Sequence, residues 1–404
     1  MRDVMVDRFA RVVVEHCARV RPGDLVSILV DPDALGMCGS PFGMVRDFGS
    51  GGGGRGGGGG GVWLEGVYEA VVRAGGHAAV DARCERLLEI LLSVGSDEQV
   101  RTVSPLEVFR LRTCDVLIVL RTQRNTRSLT RLSRLGMYQS ARREVMGASL
   151  ARGARGEMRY VLAEVPSVGA AQEAEMSLAE YEEWCCRAGF LEDADPVSSW
   201  GELARRHERM IEYLSGRREL RFVAPGTDLY IDVGGRTWVS GAGGENFPDG
   251  EVFTGPADVR GVVEFGFPQG YRGGVVGGIR LEFSGGRVCD ARAAHNEAYL
   301  MRMLETDEGA RTVGELGIGT NYRIGEYINN AFFDEKIGGT FHVALGAGYP
   351  QTGNTNQSGL HWDLVCDLRR GGEIWADGEL IQKDGRFLRE GWPGGGGAKG
   401  QGAR

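Results

Sequence analysis

The order of apolar and polar positions divides the chain into two parts with different patterns. In the first part, apolar residues at helical spacing alternate with short continuous apolar runs, of which Leu25–Val30 and Asp115–Leu120 are the clearest. Short runs of this kind, bounded by turn residues, are typical of strands buried on both faces. Because helical and strand patterns alternate, we predict a parallel sheet covered by helices, and so an α/β domain over residues 1–215.

The pattern changes near residue 216. From Leu220 onward, alternating stretches such as Leu229–Val233 and Ile279–Phe283 are separated by glycine turns, which is typical of antiparallel strands. One helical pattern, over residues 296–304, interrupts them. We therefore predict a second, α+β domain with a largely antiparallel sheet over residues 216–390.

Two stretches of the form Ser-x-x-Glu predict the first turns of helices. They begin at Ser177 and at Ser199, and in this pattern the serine and glutamate side chains satisfy backbone N–H groups that have no partner within the helix. Trp184 and Trp200 lie in the predicted helices, where we expect them to belong to the core.

Two segments are too rich in glycine to predict a packed structure. In Gly51–Gly61 only Arg55 is not glycine, and residues 391–404 are similar in composition. The first segment lacks the lysine and the serine or threonine of a phosphate-binding loop. We expect both segments to be disordered, and the first to be a dispensable insertion, because such chains cannot bury enough apolar surface to offset their ordering entropy.

Composition narrows the classes of protein to consider. Hydrophobic residues make up 42% and charged residues 25% of the chain, and the formal net charge is −8. This balance argues against nucleic acid or an anionic membrane as the partner, and no apolar run approaches the roughly twenty residues of a membrane span. Eight cysteines without a Cys-x-x-Cys pair predict reduced thiols, and we expect a cytoplasmic protein.

The candidate chemistry lies in the second predicted domain. His342 and His361 both occur in strand-like surroundings, and His361 and Asp363 share one strand face because side chains alternate. Imidazole and carboxylate groups together suit zinc, cobalt or manganese, and Glu251 and Glu315 could complete such a site. The spacing alone is also compatible with histidines that belong to the core.

A set of ordered motifs supplies a more specific interpretation. They are GENFPDGEVFTGP, GELGIGTN, FDEKIGGTFHVALG, NQSGLHWDLVCDLR and DGELIQKDG, together with Tyr349-Pro350. In these motifs the chain resembles the thermophilic metallopeptidase family of the aminopeptidase T type. The resemblance covers essentially the whole chain and is most specific over residues 226–387.

The resemblance implies roles for individual residues. It implies two divalent metal ions, with Zn, Co or Mn as the expected metals and Mg as a further option, held by Glu251, Glu315, His342, His361 and Asp363. Glu315 and Asp363 are the bridging candidates, and Glu251 stays open for that role. Tyr349 matches the family's active-site tyrosine, which would donate a hydrogen bond to the tetrahedral oxyanion. Glu335 and Lys336 would either support a hairpin through a salt bridge or contact the site.

The resulting expectation is a cytoplasmic two-metal aminopeptidase that removes N-terminal residues from short peptides by means of a metal-activated water, with Tyr349 and Glu315 as catalytic residues. The resemblance also implies a homodimer. Two alternatives stay open. One is a catalytically weak protein of the same fold that binds peptides or metal, and the other is a two-metal hydrolase of a non-peptide amide.

Overall fold

The computed structural model describes residues 2–31, 61–122, 125–129 and 131–395, without the side chains of residues 2, 3 and 150. The chain forms two compact units. The first contains the chain up to Ser198 together with Gly243–Pro248, and the second contains Ser199–Ala242 and the chain from Asp249 onward. This division comes earlier than the predicted boundary at residue 215, because the helix that precedes residue 215 contributes Met210 and Leu214 to the core of the second unit.

A five-stranded parallel sheet forms the centre of the first unit and confirms the predicted α/β class. Its strands are β1 (Leu25–Val30), β2 (His77–Ala82), β3 (Val116–Arg121), β4 (Arg159–Glu164) and β8 (Asn246–Phe247). They lie in the order β2-β1-β3-β4-β8, and neighbouring strands pair in parallel. The apolar run of β1 is buried from Val26 to Val30, as expected for a strand that is flanked by neighbours on both sides.

Nine helices begin within the described part of the first unit. They are α1 (Arg2–Arg11), which continues as a π-helix over Val12–Cys17, α2 (Gly61–Arg73), α3 (Glu85–Val94), α4 (Asp97–Arg101), α5 (Pro105–Thr113), α6 (Leu135–Ala154), α7 (Val168–Glu173), α8 (Leu178–Ala188) and α9 (Pro196–Leu214).

The predicted helix start at Ser177 is confirmed, and the one at Ser199 is wrong. The Ser177 hydroxyl accepts from the N–H of Glu180 at 3.2 Å, and the Glu180 carboxylate accepts from the N–H of Ser177 at 2.8 Å. Helix α9 instead begins at Pro196, because proline has no N–H to satisfy and its fixed φ suits the first helical position. Trp184 and Trp200 are buried, as predicted.

The second unit contains two antiparallel sheets, which confirms the predicted class. The nine-stranded sheet consists of β5 (Glu219–Ala224), β6 (Thr227–Asp232), β10 (Asp258–Phe265), β11 (Gln269–Tyr271), β12 (Gly274–Ser284), β13 (Arg287–His295), β17 (Glu373–Ala376), β18 (Glu379–Lys383) and β19 (Arg386–Phe387). The five-stranded sheet consists of β7 (Val239–Gly241), β9 (Glu251–Thr254), β14 (Val313–Gly319), β15 (Thr340–Gly346) and β16 (His361–Asp367). The order in the smaller sheet is β16-β15-β14-β9-β7.

The core of the second unit joins its two sheets. The rings of Phe222 in β5 and Phe341 in β15 stack with their centroids 4.2 Å apart. Every residue of β14 and β15 is buried, so these two strands form a rigid centre for the smaller sheet. Two further helices complete this unit, α10 (Glu297–Leu304) and α11 (Ala331–Asp334).

The glycine-rich predictions lie largely outside the described residues, namely Gly51–Gly60 and residues 396–404. Gly61 is the first residue of α2. The expectation of disorder from residue 391 is wrong for residues 391–395, because Trp392 is only 4% exposed. Its ring packs against Tyr213 and Phe387, with centroids 5.2 and 5.4 Å away.

Two observations concern cysteines and membranes. In the described part of the chain, no disulfide joins any of the seven cysteines. In that same part, no helix combines the length and the apolar character that crossing a membrane would require.

Candidate metal centre

One face of the five-stranded sheet carries all the predicted ligands. Residues directly opposite each other on paired strands point to the same face. Glu251 lies between Gly241 and Gly319, Gly317 lies opposite His342, Ala344 opposite Asp363, and Gly346 opposite His361. Glu315 is two residues from Gly317 on β14. The alternation of side chains along four strands thus brings these ligands, which are distant in sequence, to a single surface.

Glycines on this face make room for the ligand side chains. A Cβ atom on Gly317 would lie 2.0 Å from Cε1 of His342, and one on Gly241 would lie 2.8 Å from Cγ of Glu251. Contacts this short do not occur between real atoms, so any larger residue would displace the ligand beside it. Glycine is therefore required at Gly317 of the GELGIGTN motif to leave space for the imidazole of His342.

The donor atoms of the predicted ligands converge. Nε2 of His342 lies 3.3 Å from Oε2 of Glu251 and 3.7 Å from Oε1 of Glu315. Nε2 of His361 lies 3.7 Å from the other oxygen of Glu315 and 3.7 Å from Oδ1 of Asp363. Glu315 thus directs one oxygen to each histidine, which is the arrangement a bridging carboxylate needs.

Both histidines direct Nε2 towards this cluster and use Nδ1 for a hydrogen bond elsewhere. Nδ1 of His342 lies 3.1 Å from the carbonyl oxygen of Glu335, and Nδ1 of His361 lies 3.0 Å from that of Ala347. Because a carbonyl oxygen only accepts, each Nδ1 carries the proton and donates it in these hydrogen bonds. Nε2 is therefore the nitrogen that would bind a metal, and a backbone carbonyl is a usual partner for the second nitrogen of a ligating histidine.

Buried polar atoms without partners mark the place where a cation fits. Within the described residues, Oε2 of Glu251 and Nε2 of His342 are buried and have no hydrogen-bond partner. Such atoms carry a large desolvation cost unless something compensates them. Two imidazole nitrogens and several carboxylate oxygens are the donors that zinc, cobalt and manganese accept, so the residues present fit a divalent metal.

The electrostatics of the cluster show an excess of negative charge. Burial raises the pKa of Glu251 well above its usual value and raises that of Asp363 to about 6. Burial alone would lower the pKa of His342, yet the nearby carboxylates of Glu315, Glu251 and Asp363 raise it to about 10. For His361, Asp363 and Glu315 outweigh burial and raise the pKa to about 9. The cluster therefore attracts positive charge, which divalent ions would supply.

Glu335 and Lys336 form the predicted salt bridge and lie beside the predicted ligands. They follow α11, and Nζ of the fully buried Lys336 contacts Glu335 and lies 3.5 Å from Oε1 of Glu251. Glu335 also forms a possible ligand group with His342 and Asp363. Lys336 lowers the pKa of Glu335 although burial opposes this. Sequence reasoning placed both residues inside a motif, but only the fold shows that they reach the ligands.

Tyr349 lies beside the cluster, at the end of β15. Its ring centroid is 5.6 Å from that of His361 and 5.6 Å from that of Phe253. The side chain is 38% exposed, so its ring remains accessible. Partial burial together with the carboxylates of Glu315 and Asp363 raises the pKa of Tyr349 well above its usual value, which keeps the phenol protonated and able to donate a hydrogen bond.

Four further histidines lie outside the motifs described above: His16, His77, His207 and His295. None of them belongs to a possible ligand group among the described residues. His207 is nevertheless fully buried and has a hydroxyl partner on each ring nitrogen.

Comparison with known proteins gives a consistent result. A family model described as thermophilic metalloprotease (M29) matches residues 62–387. Aminopeptidase T of Thermus thermophilus is 34% identical over 190 residues, which are 43% of this chain and 46% of that protein. Aminopeptidase 2 of Geobacillus stearothermophilus is 33% identical over 177 residues, 40% of this chain and 42% of that protein. The matched segments thus span less than half the length of these relatives.

Solved structures show a shared fold. The structure of wild-type AmpT from Thermus thermophilus superposes with a TM-score of 0.75 at 20% identity and covers 95% of this chain and 99% of that one. A dioxygenase of 2,5-dihydroxypyridine from Pseudomonas putida KT2440 superposes with a TM-score of 0.58 at 15% identity and covers 96% and 98% of the two chains. At these identities the likeness concerns the fold alone.

Proposed function

The chain belongs to the thermophilic metalloprotease family, M29, and from this premise we propose that it is a metal-dependent aminopeptidase that acts on short peptides. The observation that carries the proposal is the convergence of two Nε2 lone pairs with the carboxylates of Glu251, Glu315 and Asp363 on one sheet face. Such a donor set is what a hydrolytic metal site requires.

We assign the ligands to two ions. Glu251 and His342 would hold one ion, His361 and Asp363 would hold the other, and Glu315 would bridge them, since its two oxygens face different histidines. Zinc, cobalt and manganese suit these donors best, and magnesium is a weaker candidate because it rarely takes imidazole. When bound, the ions would lower the pKa of a water and so supply the nucleophile at neutral pH.

Two side chains would stabilise the charge on the substrate and accept the proton of the attacking water. The Tyr349 phenol, which stays protonated, would donate a hydrogen bond to the substrate carbonyl oxygen as that oxygen becomes negative. Glu335 would accept a proton from the attacking water, because Lys336 keeps this carboxylate ionised. The buried ammonium of Lys336 would also reduce repulsion between Glu335 and Glu251.

We further propose a cytoplasmic homodimer. The described cysteines form no disulfide with one another, which suits a reducing compartment. In the first unit, α3 exposes Leu87, Ile90 and Val94 along one stripe, the kind of surface that a second copy would cover. Light scattering should then give about twice the chain mass of 43.7 kDa, and a monomer at micromolar concentration would overturn this part of the proposal.

One experiment tests the activity. Because one fold can host different reactions, the assay should compare a short peptide with a free N-terminus with the same peptide acetylated at its N-terminus. We expect hydrolysis of the free peptide only, loss of activity after dialysis against a chelator, and recovery with cobalt, zinc or manganese. Full activity in metal-free protein, or equal cleavage of the acetylated peptide, would contradict the proposal.

A further inference from the structure

His207 is a buried histidine that hydrogen-bonds to residues next to the metal centre, on the side of the sheet opposite the ligands. It lies in α9 and is 0% exposed. Nδ1 lies 2.9 Å from the Ser240 hydroxyl, and Nε2 lies 2.7 Å from the Thr320 hydroxyl. Burial lowers its pKa to about 3, so the ring is neutral and acts through its two hydrogen bonds, donating one and accepting the other.

The two hydroxyls belong to the segments on either side of the strand that carries Glu251. Ser240 is in β7 and precedes Gly241, which pairs with Glu251. Thr320 follows Gly319, the residue of β14 that pairs with Glu251 from the other side. In addition, the Thr320 N–H donates to the carbonyl oxygen of Gly250 at 2.8 Å. His207 therefore connects the two neighbours of β9 at the level of its metal ligand.

The hydrogen bonds of His207 stabilise the position of β7, which has few backbone pairing contacts of its own. This strand has three residues and lies at the edge of its sheet, where β9 is its one partner among the described strands. Ser240 points away from Gly241 and Glu251, since successive side chains of a strand alternate between faces. The bond from His207 thus fixes β7 on the face opposite the ligands and leaves the ligand face clear.

We propose that His207 is a positioning residue for Glu251: it ties β7 to the end of β14 and so holds the Glu251 carboxylate in place for the metal ion it would bind. This inference rests on the metal site of the proposed function. Ligand orientation determines metal affinity, and loss of a group that orients a ligand typically weakens binding by about 10–100-fold. The effect is confined to the ion that Glu251 would hold, because His361 and Asp363 lie on β16, at the other end of the sheet.

The experiment compares His207→Ala with Met210→Ala. Met210 lies on the same helix, is also 0% exposed, and packs in the core of the second unit, so its loss should destabilise the fold while the bonds of His207 to Ser240 and Thr320 are kept. Each metal-free protein is titrated with zinc, and its melting temperature is recorded. We expect His207→Ala to weaken one of two ion affinities by about 10–100-fold, with the other unchanged, whereas Met210→Ala should lower the melting temperature and keep both affinities.

A conservative variant separates positioning from folding. The carboxamide nitrogen of His207→Gln can occupy the place of Nε2 and keep the contact with Thr320 but not the one with Ser240, so its affinity for this ion should lie between those of the wild type and His207→Ala. If His207→Ala does not fold, Ser240→Ala and Thr320→Val remove one bond each and should each weaken the same ion. Equal affinities in His207→Ala and Met210→Ala, or the same loss at both ions, would overturn the inference.

Failure of this inference and failure of the proposed function give different results. A wild-type protein that binds two zinc ions but hydrolyses no peptide would overturn the peptidase proposal and leave the role of His207 to be decided by the affinities. A wild-type protein that binds no zinc would overturn both.

Discussion

At the scale of single residues, the chemistry of the site depends on which atoms have no other partner. His342 and His361 each use Nδ1 for a backbone carbonyl, which leaves Nε2 for a metal, whereas His207 uses both nitrogens for hydroxyls. The same side chain is therefore a ligand candidate in two places and a positioning group in a third. The hydrogen-bond partners distinguish these roles, and the residue type does not.

Tyr349 provides a test of chemistry that is separate from metal binding. Its phenol would meet negative charge only as the reaction proceeds, so Tyr349→Phe should lower kcat by about 10²–10³-fold, the usual cost of losing one oxyanion donor. KM and bound metal should change little, because the phenol is not a ligand. Steady-state kinetics on an aminoacyl amide together with elemental analysis measure both. A wild-type kcat in Tyr349→Phe would make the tyrosine a packing residue.

His207 gives a prediction about stability and pH. Its folded pKa of about 3 lies below the ordinary value of 6.5, so between these values the unfolded chain binds a proton that the folded chain does not. The free energy of unfolding must therefore fall as the pH is lowered through 6.5 towards 3. Each unit of pH in this range changes the free energy of unfolding by about 1.4 kcal/mol for one such proton. Between pH 8 and pH 5, His207 should therefore lower the free energy of unfolding by about 2 kcal/mol.

The measurement is urea unfolding at both pH values, with His207→Gln as the control because glutamine does not titrate. Other groups contribute equally to both proteins, so the difference between their pH slopes isolates His207. Identical slopes would mean that the histidine is protonated in the folded protein or exposed to solvent.

At the scale of elements, the ligand face has room for its side chains because glycines lie opposite ligands on neighbouring strands, as Gly317 does to His342 and Gly346 to His361. At Gly317 a substitution would press directly on a predicted ligand, since a Cβ there would lie 2.0 Å from Cε1 of His342. We expect Gly317→Ala to displace the imidazole and to weaken metal binding at least 10-fold. Gly325→Ala is the matched control, because a Cβ at Gly325 meets no atom within 4 Å. Zinc titration of both variants checks this, and equal affinities would show that the imidazole can shift without losing its ligand role.

Elements were predictable from sequence where a local pattern determines them. The apolar run of β1 and the Ser-x-x-Glu pattern at Ser177 each specify a structure without distant partners. Ser199 carried the same pattern, yet Pro196 begins the helix earlier. The position of Glu335 and the two bonds of His207 were not predictable, because both depend on which strands become neighbours. That information is non-local and is absent from any single stretch of the chain.

At the scale of the whole molecule, the end of the described chain is part of the fold. Trp392 packs against Tyr213 and Phe387 in the core of the second unit. Trp392→Ala should therefore cost about 3–5 kcal/mol of stability, as is typical of a buried tryptophan. Deletion of residues 396–404 should leave the melting temperature nearly unchanged. Deletion of Gly51–Gly61, which is predicted to be dispensable, should do the same.

Calorimetry of these variants provides the check. A melting temperature of Trp392→Ala equal to that of the wild type would show that the packing of Trp392 contributes little. A much lower melting temperature after deletion of residues 396–404 would show that these residues also contribute to the stability of the fold.

The central claim is that one cluster of side chains holds the metal and that hydrolysis depends on it. Glu315 tests it most directly, since its two oxygens face the two histidines. Elemental analysis and peptide hydrolysis should be measured on the same samples of wild type and Glu315→Ala. The account predicts two ions per wild-type chain, with at least one ion and nearly all activity lost in the variant. Two tightly bound ions in Glu315→Ala, or undiminished hydrolysis without them, would contradict it.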